Sequence, residues 1–89
     1  MKQVNLIVHS LKYLRESLSN YIEEDEICKH IWEKLLGKDY GSEIEFIEQL
    51  EDEEVVQLNH VLEKEIDYAH DVQDEVRIKE LNDIYELLL

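Results

Sequence analysis

The sequence predicts an all-α fold, a small bundle of four to five helices, and three observations carry that expectation. Proline is absent and the glycines are Gly37 and Gly41, so the chain has one obvious place to break. Apolar residues elsewhere recur at steps of three and four, the spacing that gives a helix one apolar face. Capping residues followed three places later by Glu stand where such helices would begin.

Val4, Ile7, Leu11, Leu14, Leu18 and Tyr21 form the clearest seam and place a first helix at about residues 3–19. Asn20 with Glu23 reads as a capping box, and the acids Glu23 to Glu26 suit the positive end of a helix dipole. A second helix is therefore expected from near residue 21 to Leu36, with Ile27, Cys28, Ile31, Trp32, Leu35 and Leu36 on a broad apolar face. Gly37 stands where a left-handed cap would end it. The alternative is that the first helix runs on unbroken.

Ser42 and Glu45 repeat the capping signature, and Ile44, Phe46, Ile47 and Leu50 supply the apolar side of a third helix of about two turns. The run Glu51-Asp52-Glu53-Glu54 reads as a corner and the acidic first turn of a fourth helix, with Val55, Leu58, Leu62, Ile66, Ala69 and Val72 toward the core. From Ile78 the pattern restarts as Ile78, Leu81, Ile84, Tyr85 and Leu88, shifted by about two residues. Either Asp71 to Asp74 make a turn, or the last two helices are fused over residues 53–88. A fused helix would be about 54 Å long and would overrun so small a bundle, arguing for a dimer. The first helix is expected to pack on the second and fourth.

Eighty-nine residues suit one domain, 1–89, whose folding hides only about 60–65% of the unfolded surface. The apolar fraction of 44% excludes a disordered acidic tail, because disorder needs few apolar residues as well as high charge. Cys28 is the single cysteine, which points to a reducing compartment, the cytoplasm. The run Leu6 to Val8 is too short for a signal-peptide core or a membrane span, so no targeting segment is expected.

The net charge is −14, and it is unevenly spread. Residues 1–20 carry +2, from Lys2, Lys12 and Arg15 against Glu16, whereas residues 41–76 carry −12, from thirteen acids against Lys64. Such a middle segment repels nucleic acid and anionic membranes and attracts a basic protein surface.

Signals for catalysis are weak. Cys28 and His30 lie about 200° apart on a helix and cannot make a thiolate pair, so Cys28 reads as a small core residue. Asp67, His70 and Asp74 would stack on one helical face, yet a single nitrogen ligand makes a poor transition-metal site. Carboxylates are plentiful but exposed, without the apolar cleft that tunes an acid catalyst. The expectation is a protein that is not an enzyme, with no cofactor and no metal.

The acidic middle admits three uses: a solvated face, a docking face for a basic protein, or nucleic-acid mimicry. At one net charge per roughly 4.5 Å of helix it is sparser than duplex DNA, which has one per about 1.7 Å. The functional reading is a small regulatory or inhibitory protein of the kind bacteria and phages direct against larger proteins, contacting a basic partner through Glu51, Asp52, Glu53, Glu54, Asp67, Asp71 and Asp74. The alternatives are a structural homodimer built on helical seams and a nucleic-acid mimic. Tyr85, Leu88 and Leu89 put apolar side chains on several sides of the last turn and mark a second contact surface, for a partner or a second copy. If that tail instead folds home, Leu89 ends against Trp32 or the first helix. Crowding of Glu51 to Glu54 is expected to raise carboxyl pKa values and to make mild acid stabilising.

Overall fold

The computed structural model describes residues 8–89. Five helices follow one another and no strand occurs among the described residues: α1 (His9–Leu18), α2 (Glu26–Gly37), α3 (Glu43–Ile47), α4 (Asp52–Asp71) and α5 (Glu75–Leu88). The all-α bundle is as the periodicity implies. The expected start of the first helix near residue 3, with seam positions Val4 and Ile7, lies outside the described residues.

Helix α1 neither runs on into α2 nor hands over at Asn20. The amides of Asn20 and Tyr21 bond to the carbonyls of Ser17 and Leu18, tightening the last turn, and the Ser19 hydroxyl donates to the Glu16 carbonyl at 2.6 Å. Residues 21–24 then form a turn, and Asp25 starts α2 by accepting from the Cys28 amide at 3.1 Å. The cap is thus Asp25 and not Asn20. Both are good capping residues, but only an Asp25 start leaves Tyr21 free to reach α4, where its hydroxyl donates to Glu65 Oε2 at 2.8 Å.

Gly37 is the last residue of α2, and no glycine among the described residues has positive φ, so the expected left-handed cap does not form. The following loop is pinned by Tyr40, which is buried, packs edge-on against Phe46 at 5.4 Å between ring centres, and donates its hydroxyl to the Lys34 carbonyl at 2.9 Å. Ser42 caps α3 through the Glu45 amide at 3.3 Å, as its spacing implies, although α3 has five residues and Ile44 faces outward.

Helices α4 and α5 are separate. Gln73 takes φ 58°, the left-handed conformation that ends many helices, and the Asp74 amide reaches back to the Ala69 carbonyl at 2.9 Å. Asp74 then caps α5 by accepting from the Arg77 amide at 3.2 Å. Val72, expected in the core seam, sits at this C-cap and is exposed.

Leu11, Leu14 and Leu18 of α1 meet Cys28, Ile31 and Leu35 of α2, Leu58, Val61 and Leu62 of α4, and Leu81 and Ile84 of α5 in one apolar cluster. The main neighbours of α1 are α2 and α5, not α2 and α4. Helix α4 likewise packs on α5 and α2, so four helices close a ring while α3 lies against α5. The Ser10 hydroxyl, buried, donates to Glu43 Oε2 at 2.7 Å and ties α1 to α3.

Candidate protein-docking surface

The acids expected to meet a partner fall into two groups because α4 separates them. Glu51 to Glu54 sit at its start, while Asp67 and Asp71 sit near its end, about 20 Å away at 1.5 Å per residue. Glu53, Asp67 and Asp71 nevertheless lie within about 40° of one another around the axis and share an outward face. Asp52, Glu53, Asp67 and Asp71 are all exposed.

Glu54 is a correction to the expected surface. It is only 5% exposed, and its Oε1 accepts both from Lys34 Nζ at 2.6 Å and from the Glu51 amide at 2.8 Å. Lys34 also donates to the Gln49 carbonyl at 2.9 Å, so one ammonium gathers the α3–α4 corner onto α2. Burial pushes the Glu54 carboxyl pKa up, but the Lys34 hydrogen bond, the Glu51 amide and the Lys34 and His30 charges outweigh it, and the net shift is downward. For Glu54 the expected crowding effect is therefore reversed. A carboxylate enclosed in this way is structural.

Asp74 is also committed to the fold. Its Oδ1 accepts from the Arg77 amide and its Oδ2 from Arg77 Nε at 3.4 Å, leaving it half-buried as the α5 cap. The reversal at Gln73 breaks the helical register between His70 and Asp74, and among the described residues no three His, Cys, Asp or Glu side chains gather as a metal site requires. Lys79 pairs with Asp83 at 3.1 Å and Glu80 at 3.9 Å.

The apolar C-terminal residues divide too. Tyr85 and Leu88 pack onto the core cluster, and the Tyr85 hydroxyl donates to Glu63 Oε2 at 2.8 Å. Leu89 is 81% exposed, so it does not end against Trp32 or α1.

A feature the periodicity did not single out lies at the α4–α5 corner. Tyr68, Val72 and Val76 are exposed at 59%, 52% and 58%, and Tyr68 and Val72 line an open groove with Asn20, Glu65, Asp74 and Arg77. The signal was present as Asp67-Tyr68, Asp71-Val72 and Glu75-Val76, an acid followed by an apolar residue at every fourth position. Cys28 is fully buried, and burial, with Asp25 nearby, pushes its thiol pKa up to about 11, the opposite of an activated nucleophile.

Residues 7–89 match the family described as CsgA, minor curli fiber component A. The chain belongs to this family. It is also 58% identical over 80 residues to a Bacillus subtilis (strain 168) protein described as a Sigma-G-dependent sporulation-specific SASP protein, an alignment covering 90% of this chain and 96% of the relative. That description names no catalytic activity. No solved structure matches the chain. No helix among the described residues is long and apolar enough to cross a membrane.

Proposed function

We propose that this member of the CsgA family is a small, non-catalytic sporulation protein that regulates or inhibits a larger protein by docking on its basic surface. The observation that carries the reading is the net −12 of residues 41–76, within which Glu53, Asp67 and Asp71 share an outward face of α4. The sporulation setting comes from the Bacillus subtilis relative. We do not carry over the fibre in the family's description, because a chain of net charge −14 opposes the stacking of its own copies. The site of action is the cytoplasm, in keeping with a single buried, unpaired thiol.

Capture from sporulating host cells tests the reading. The full chain, tagged at its N-terminus, should retain a basic protein that salt releases, and a variant with Asp52→Lys, Glu53→Lys, Asp67→Lys and Asp71→Lys should lose it. Retention of the same proteins by both baits would overturn the reading.

A further inference from the structure

We propose that the α4–α5 corner is the anchoring site for a basic, amphipathic segment of the partner: one aliphatic or aromatic side chain enters the groove beside Tyr68 and Val72, and flanking Lys or Arg residues meet Asp67 and Asp71. The proposal rests on the basic-partner reading above and deepens it by saying where the contact is made.

Single exposed apolar residues are ordinary, but Tyr68 and Val72 stand four residues apart at the end of α4 and line the same groove, so they form a contiguous patch. Each follows an acid directly, and neighbours on a helix point about 100° apart. Asp67 and Asp71 therefore line one side of the apolar pair without covering it. An apolar anchor with cations beside it is the chemistry that this arrangement complements.

Charge selects the occupant. Residues 63–77 hold six acids, Glu63, Glu65, Asp67, Asp71, Asp74 and Glu75, against Lys64 and Arg77, a net of −4 with histidine neutral. Arg77 lines the groove, but it is already matched: its Nε lies 3.4 Å from Asp74 Oδ2, its Nη2 4.0 Å from Glu16 Oε1, and its guanidinium 5.8 Å from the centre of the Tyr13 ring. An incoming cation thus meets a net negative rim. A second copy of the chain would bring its own −14 to the same place, and nucleic acid its phosphates, so both are disfavoured.

The anchor distinguishes this site from general attraction to the acidic surface. The 15N-labelled full chain is titrated in low salt with two synthetic peptides of equal Lys and Arg content, one carrying a central Leu and the other Ser in its place. The Leu peptide should bind about tenfold more tightly, with amide shifts concentrated in residues 64–77. Tyr68→Ala with Val72→Ser should abolish that difference, while Asp52→Lys with Glu53→Lys should preserve it. Equal affinities on the wild-type chain, with shifts scattered over all its acids, would overturn the corner site and leave the basic-partner reading standing. Failure of both peptides to bind removes both. The two-peptide comparison needs no variant, so a misfolded double variant does not blunt the test.

Discussion

Lys34 on α2 holds Glu54 in the first turn of α4 at 2.6 Å, where the Glu54 side chain keeps only 6% of its exposure. The pair joins two helices that also share Ile31, Leu35 and Leu58 in the core, and the Glu51 amide gives the same carboxylate a second bond. Removing one partner of so enclosed a pair leaves a desolvated charge, which costs more than the pair itself contributes.

Lys34→Ala is therefore expected to destabilise the fold by about 1–3 kcal/mol, measured by urea denaturation. Glu54→Gln, which keeps an oxygen for the Glu51 amide, should cost less. A Lys34→Ala curve that coincides with the wild type would show that the corner does not depend on this contact.

The same pair sets a pH dependence. The folded Glu54 pKa lies below the usual 4.5, so the unfolded chain binds more protons in that window, and stability falls as pH falls. Its contribution is complete above that value and is lost on acidification through the folded pKa. Between about pH 6 and about pH 3.5 the thermal midpoint of wild type should drop further than that of Glu54→Gln. Equal drops would assign the acid sensitivity to other groups.

Much of this architecture was legible because it rests on local pattern. The seam Leu11, Leu14, Leu18 is buried as its spacing implies, Ser42 caps α3, and the break between Asp71 and Asp74 coincides with the slip in apolar register. What was not legible depends on partners distant in sequence. Nothing near Glu54 distinguishes it from Glu53; Lys34, twenty residues away, does. Asn20 and Asp25 are equivalent as caps until Tyr21 finds Glu65, forty-four residues on. Val72 fits the core spacing, yet the left-handed turn at Gln73 ends the helix before it can turn inward.

Leu14 is fully buried at the centre of α1, and truncation leaves a cavity that the surrounding helices cannot fill. Leu14→Ala should cost about 2–4 kcal/mol, a large share of the stability of a small domain. A melting curve that barely moves would remove α1 from the core.

Gln73 occupies a conformation that suits glycine. Gln73→Gly should stabilise by about 0.5–1 kcal/mol, since relief of side-chain crowding exceeds the added freedom of the unfolded chain, and Gln73→Val should destabilise. Thermal midpoints in the opposite order would contradict the strain at this turn.

Cys28, fully buried with its pKa near 11, should resist thiol reagents at about pH 8, where only about a thousandth of it is thiolate. Labelling of the native chain should be far slower than in urea. Comparable rates in both would show that the α2–α4 interface opens readily.

The proposed docking through acidic residues predicts how association responds to salt. Long-range attraction is screened beyond about 8 Å at physiological ionic strength, so the association rate constant with the captured partner, followed by stopped flow, should fall at least about tenfold between about 50 mM and about 300 mM salt. The variant Asp52→Lys, Glu53→Lys, Asp67→Lys and Asp71→Lys, which spares the structural Glu54 and Asp74, should associate slowly at every salt concentration. An association rate indifferent to salt and equal in wild type and variant would contradict the account.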